Sequence, residues 1–182
     1  MNFKRIGVSL LAVFIVAAVA SAQTKEFNKG GFYLTPQFGL ASWGGSLPFG
    51  VNGEYALNEN IGVGGTVMVQ MWSETYWSES LIGLSAEANY HLTDFVAKSN
   101  LKKVDLYVGA GLGYSIYSWK WKIGYGDWLT GSTGSSGLIL EPIVGGRYYF
   151  SPKIGICVRL VGSIVGSYTG FGGTIGLTFS LK

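Results

Sequence analysis

The chain has 182 residues, a formal net charge of +3 and a mean hydropathy of +0.31, with 29 glycines, 15% aromatic residues and only 13% charged residues. A soluble domain of this length carries about 25% charged residues, so much of this surface is not built for bulk water, and a single domain accounts for the length. Nucleic-acid binding is excluded as a class, because the doublets Lys4-Arg5 and Lys102-Lys103 are not extended into any basic run, and the single cysteine, Cys157, excludes an intrachain disulfide.

Residues 1–22 read as a cleaved secretory signal peptide. Lys4 and Arg5 form the basic start, 6–19 the apolar stretch and Ala20-Ser21-Ala22 the small-residue cleavage site, which leaves 23–182 as the mature domain. The apolar stretch falls short of the roughly 20 residues a spanning helix needs. Residues 23–30 are a short polar lead.

From there the sequence alternates with period two, the signature of strands whose successive side chains point to opposite faces. The first candidate strand, 32–40, sets Phe32, Leu34, Pro36, Phe38 and Leu40 against Tyr33, Thr35, Gln37 and Gly39. A Gly/Ser/Trp turn over 41–46 leads to a second strand, 47–57, with Asn52 and Glu54 on its polar side. The turn at 58–60 and a third strand, 61–70, follow. A loop rich in Trp, Tyr, Ser and Glu is expected over 71–80. The fourth strand, 82–92, places Ser85, Glu87, Asn89 and His91 on one face.

A polar turn over 93–103 precedes the fifth strand, 104–117, in which Asp105, Tyr107 and the glycines at 109, 111 and 113 oppose Leu106, Val108, Leu112 and Tyr114. The longest loop is expected over 119–136. The sixth strand, 138–150, puts Glu141 and Arg147 on the polar face, and the turn at 151–153 leads to the seventh, 154–164, with Cys157 and Arg159. The last strand, 173–181, is the strictest of all. Ile175, Leu177, Phe179 and Leu181 alternate with Thr174, Gly176, Thr178 and Ser180, a pattern that a helical period would scatter around the axis.

Eight such strands with regular turn signals specify an all-β fold, an eight-stranded antiparallel up-and-down transmembrane β-barrel. The lysines decide which face meets lipid. Every lysine of the mature chain falls in an expected turn, loop or terminus, whereas a water-facing barrel wall uses outward lysines against aggregation. Outward aromatics crowd the strand ends, with Tyr55, Tyr90, Tyr148, Phe150 and Phe179 toward the end that holds the termini and Phe38, Phe49 and Tyr114 toward the other, the positions of interfacial girdles.

The VDLYVGAGLGY strand at 104–114, the PIVGGRYYFSPKIG hairpin at 142–155 and the alternating C-terminal strand resemble the small OmpA/OmpX-type outer-membrane β-barrel proteins over nearly the whole mature chain. The resemblance implies a porin-like cell-surface barrel in a Gram-negative outer membrane, exported by its signal peptide and seated among outer-membrane lipid and lipopolysaccharide by the insertion machinery. One departure is that Phe179 is followed by Ser-Leu-Lys instead of ending the chain.

The charges on the polar faces are Glu54, Glu87, Asp105, Glu141, Arg147 and Arg159. A barrel of eight strands is narrow enough for side chains to fill, so these residues are expected to form a lumen charge network. Counted from the turns, Glu54, Glu87, Arg147 and Arg159 fall at comparable depth, and the two arginines are expected to be shared among the glutamates. Arg159→Ala is accordingly expected to lower stability or make the barrel conduct.

An enzyme of this architecture needs a nucleophile beside a base. His91, the sole histidine, lies about 20 Å from Ser85 at roughly 3.3 Å per residue, so no catalytic residue is assigned and His91 is read as a hydrogen-bonding residue at the lumen end. No metal or cofactor is expected. The expected loops carry Trp43, Trp72, Tyr76, Trp77, Trp121, Tyr125 and Trp128, aromatics suited to contacts with a host or surface ligand or with lipid headgroups. The sequence therefore points to a monomeric, non-enzymatic barrel with a mainly structural role. An adhesin acting through 71–80 and 119–136 is the alternative, and a narrow pore the third.

Overall fold

The computed structural model describes residues 27–39, 47–92, 95, 103–121, 132–164 and 170–181. Eight strands run in chain order: β1 (Phe32–Gly39), β2 (Phe49–Ala56), β3 (Ile61–Ser73), β4 (Trp77–His91), β5 (Val104–Trp121), β6 (Ser132–Ser151), β7 (Ile154–Ser163) and β8 (Gly170–Leu181). Each pairs antiparallel with its sequence neighbour, and β8 returns to β1, closing the barrel so that no sheet edge is left. The β1–β8 ladder skips Thr35 and Pro36, where proline has no N–H to contribute.

Alternation sets the two faces. Outward residues such as Phe38, Val67, Leu84, Leu112, Tyr114, Val144 and Leu177 are exposed, and the inward Tyr33, Asn52, Glu54, His91, Arg147 and Thr178 are buried. This inversion, charges inside and hydrocarbon outside, is stable where lipid replaces water. On β5 the outward apolar band runs from Val104 to Ile116 and is followed outward by Ser118 and Lys120. Twelve residue steps at a tilt of about 40° make this band roughly 30 Å tall, a bilayer's hydrocarbon thickness.

The strands outrun that band on one side of the barrel. β1 and β2 have 8 residues each, whereas β5 has 18 and β6 has 20. Most of 71–80 is therefore strand, not loop. β3 continues to Ser73 and β4 starts at Trp77, with a tight turn between them closed by the Glu74 N–H donating to the Trp77 carbonyl at 2.9 Å. Trp72 and Trp77 belong to the ladder, and Tyr76 sits exposed in the turn. The expected 119–136 loop shrinks in the same way, since β5 reaches Trp121 and β6 begins at Ser132. Lys120 is thus a strand residue, at the far end of β5. Beyond the hydrocarbon the outward face need not be apolar, so the alternation fades while backbone pairing continues. The expected signal peptide over 1–22, Trp43, Tyr125 and Trp128 lie outside the described residues.

The N-terminal lead is also more than a polar leader. Gly30 takes a positive φ of 78°, a conformation that glycine adopts without a Cβ penalty, and its N–H bonds the Ala56 carbonyl at 2.9 Å. This turn tucks Phe27, 1% exposed, under the barrel end that holds the described termini, against Tyr33, Ala56 and Tyr149.

Candidate functional site

The lumen charges form two separate layers. The layer nearer the described termini is centred on Glu54, from β2. Its Oε1 accepts from Asn89 Nδ2 at 2.7 Å and meets His91 Nε2 at 3.1 Å, while its Oε2 accepts from Arg147 Nη2. Asp105 closes the circuit. Its Oδ1 lies 2.7 Å from His91 Nδ1, and its Oδ2 accepts from Arg147 Nη1 at 3.2 Å. With both imidazole nitrogens donating, the two carboxylates, the guanidinium and His91 sum to zero charge.

Aromatic rings enclose this layer. Phe27 stacks on His91 with centroids 3.5 Å apart, and the Arg147 guanidinium sits 4.9 Å from the Tyr107 ring centroid and 5.4 Å from that of Tyr33. Glycines on neighbouring strands make the room. A Cβ on Gly145 would fall 2.2 Å from a Tyr107 ring atom, and one on Gly62 would fall 2.3 Å from Glu54 Oε1. Side chains rather than an aqueous channel occupy this end of the barrel, as its diameter requires.

The second layer lies on the side away from the described termini. Arg159 donates to Glu87 Oε2 at 2.7 Å and to Thr66 Oγ1 at 3.0 Å. The Thr66 hydroxyl donates to Glu87 Oε1, and Asn52 Nδ2 donates to Glu87 Oε2 at 3.1 Å and to Thr66 Oγ1 at 2.9 Å. The Ser85 hydroxyl reaches Glu87 Oε1 at 3.4 Å. Ser85 and His91 are thus engaged with different carboxylates.

The expected sharing of two arginines among the glutamates is corrected by this geometry. Arg147 belongs to Glu54 and Asp105, Arg159 belongs to Glu87, and among the described residues Glu141 makes no ion pair. The register gives the reason. Glu54, Gly64, Glu87, Gly111 and Glu141 are successive partners across β2 to β6, so the three glutamates line one row with glycines between them. Strand tilt and stagger then carry members of that row to different heights. The residues not assigned from sequence are Asn52, Thr66, Asn89, Tyr33, Tyr107 and Phe27. All but Phe27 lie on the inward parity, and Asn52 opposite Thr66 was the available signal.

On the far side of the Arg159 layer the lumen opens into a cavity of about 460 Å³. The strand extensions carry a band of indoles beside it. Trp72 and Trp77 pack with centroids 5.3 Å apart, and Trp119 and Trp121 meet edge to face at 4.7 Å. Trp121 is partnered with Trp77 across β4 and β5.

No protein-family model matches the chain, and no curated protein matches it. Solved structures do. The N-terminal β-barrel domain of OprF from Pseudomonas aeruginosa is 14% identical at a TM-score of 0.59, covering 84% of this chain and 98% of that one. Ail, the attachment invasion locus protein of Yersinia pestis, is 14% identical at a TM-score of 0.55, covering 84% and 99%. The outer membrane protein OprG from Pseudomonas aeruginosa is 10% identical at a TM-score of 0.62, covering 87% and 99%. The chain therefore has the fold of the small eight-stranded outer-membrane β-barrels.

Proposed function

We propose that the chain is an integral outer-membrane protein of mainly structural, non-enzymatic role whose barrel is closed to solutes by its own side chains. In this reading it is exported by residues 1–22, works as a monomer among lipid and lipopolysaccharide, and keeps the described termini on the periplasmic side. The observation that carries it is the layer of Glu54, Asp105, His91 and Arg147, buried groups from four strands that pair with one another inside the lumen, with Phe27 stacked on His91. Opening that layer would strand a charge in a site of low polarity.

Single-channel recording of the refolded protein in planar bilayers tests this. The wild type is expected to be silent. Arg159→Ala is expected to be silent too, because it enlarges the outer cavity and leaves the Glu54 layer intact below it. Discrete, stable openings of the wild type would replace the closed barrel with a pore.

A second reading, a surface-binding protein, is favoured by the extension of β4, β5 and β6 past the apolar band, with Trp77, Trp119 and Trp121 on the projecting part. Aromatic residues of this kind anchor protein interfaces, and one protein of the same fold is Ail, the attachment invasion locus protein of Yersinia pestis. Here, deletion of 122–131 is expected to abolish adhesion of cells displaying the protein to host cells or matrix while the barrel still folds. Adhesion that survives the deletion would remove this reading.

A further inference from the structure

The strand extensions reverse the two-faced pattern of the crossing below them. Within the hydrocarbon band the lumen side is polar and the outer side apolar. On the extensions of β4 and β5 the outward positions are Ser78, Ser80, Ser118 and Lys120, whereas the lumen-side positions carry Trp77, Glu79, Tyr117, Trp119 and Trp121. Trp72 of β3 shares that side, since it lines the cavity together with Glu79 and Tyr117. Four of the six tryptophans therefore stand on the inner wall of the barrel mouth, and Trp121 keeps 45% of its surface exposed. Indoles that anchor a barrel to lipid headgroups sit on its outer face, so lipid does not account for these.

The rings occupy two levels. Trp72, Glu79 and Trp119 are successive partners across β3, β4 and β5, and Trp77 and Trp121 are partners two residues further out. That step is about 7 Å along the strand at roughly 3.4 Å per residue. Contacts between Trp72 and Trp77 at 5.3 Å and between Trp119 and Trp121 at 4.7 Å link the levels. β4 and β5 have 15 and 18 residues where β1, β2 and β7 have 8, 8 and 10, so the rings stand on the taller wall.

The chemistry of this face selects its occupant. Glu79, whose Oε1 accepts from the Tyr117 hydroxyl at 2.9 Å, is the one charge on these lumen-side strand positions among the described residues, so a phosphorylated or sulfated ligand would meet no counter-charge. Backbone groups of β3, β4 and β5 are paired as far as Ser73 with Ser78 and Trp77 with Trp121. An extended peptide would therefore lay its own N–H and C=O groups unpaired on indole faces. The mouth of an eight-stranded barrel is too narrow to take in a folded protein surface. A pyranose ring with equatorial substituents suits the face. Its C–H hydrogens, above and below the ring, meet the negative π-surfaces. Its hydroxyls leave from the ring edge, where Glu79 accepts and Ser135, the partner of Tyr117 on β6, both donates and accepts.

We infer that the mouth of the barrel binds a neutral, β-linked glycan. Its sugar rings stack on Trp77 and Trp121 at the outer level and on Trp72 and Trp119 below, with hydroxyl groups bonded to Glu79 and Ser135. This rests on the surface-binding reading and names its ligand class. Arg159, paired with Glu87, floors the cavity beneath, so the glycan is held at the mouth and not passed through.

The test is calorimetric titration of the full mature protein in phospholipid nanodiscs, free of the sugars of lipopolysaccharide. The probes are cellohexaose and chitohexaose, whose ring substituents are equatorial. Sulfated cellohexaose is the anionic control, a Gly/Ser/Tyr hexapeptide the extended-peptide control and empty nanodiscs the lipid control. Saturable binding of a neutral probe is expected, absent from all three controls. Trp77→Ala and Trp121→Ala are each expected to weaken it about tenfold, and Trp121→Phe, which keeps a flat ring, only about twofold. A saturable change in the tryptophan emission of the wild type on adding the bound probe gives a readout that needs no variant to refold. Failure of both neutral probes to bind, equal binding of the sulfated or peptide control, or wild-type affinity in both alanine variants would overturn the assignment. Adhesion lost on deleting 122–131 without glycan binding would remove the glycan and keep the surface-binding reading. Glycan binding with adhesion that survives the deletion would do the reverse.

Discussion

Glu54→Ala is expected to lower the stability of the folded barrel by about 3–5 kcal/mol, the cost of leaving one partner of a buried ion pair uncompensated. Glu54 is the hub of its layer. It accepts from Arg147 and Asn89 and contacts His91, and its own side chain is fully buried. Without it, the Arg147 guanidinium retains Asp105 at 3.2 Å as its only carboxylate, and His91 loses the partner of Nε2. Tyr33 and Tyr107 present ring faces to the guanidinium. Urea unfolding in lipid vesicles, followed by tryptophan fluorescence, measures the loss. A change below about 1 kcal/mol, the scale of an exposed pair, would show that water enters this layer and that it does not close the lumen.

The Arg159 layer is expected to respond asymmetrically. Glu87→Ala leaves a buried guanidinium holding only the Thr66 hydroxyl at 3.0 Å, and a loss of about 3–5 kcal/mol is expected. Arg159→Ala leaves a carboxylate that still accepts from Asn52, Thr66 and Ser85, on the floor of a cavity that admits water. Its cost is expected to be smaller, about 1–3 kcal/mol, that of lost hydrogen bonds to a charged group. The same vesicle assay compares them. Equal losses would mean that the amide and hydroxyl donors around Glu87 do not hold its charge, and that the pair is the sole support of this layer.

Strand number, the parity of each strand and the assignment of Glu54, Glu87, Asp105, Arg147 and Arg159 to the interior were legible in the sequence because each segment must cross hydrocarbon with one face and pack the lumen with the other. That requirement writes a period of two into every crossing, most strictly in β8 and β5. Where the requirement ends, so does the signal. Ser78, Ser80, Ser118 and Lys120 face outward on strand extensions that no lipid covers, so the sequence there looks like loop while the ladder runs on to Trp77 and Trp121.

Parity also says nothing of height. It could bring six charges into one lumen but could not pair them, because stagger between strands decides whether Arg147 meets Glu54 or Glu87. Nor could it place Phe27, whose position under His91 depends on a turn at Gly30 and on the barrel end it closes. The sequence by itself determined a lipid-facing, antiparallel eight-stranded barrel with a polar interior, since those follow from local alternation. Only the tertiary structure decided the two charge layers, the aromatic bung and the cavity beyond them, since each depends on residues from several strands brought together by closure of the sheet.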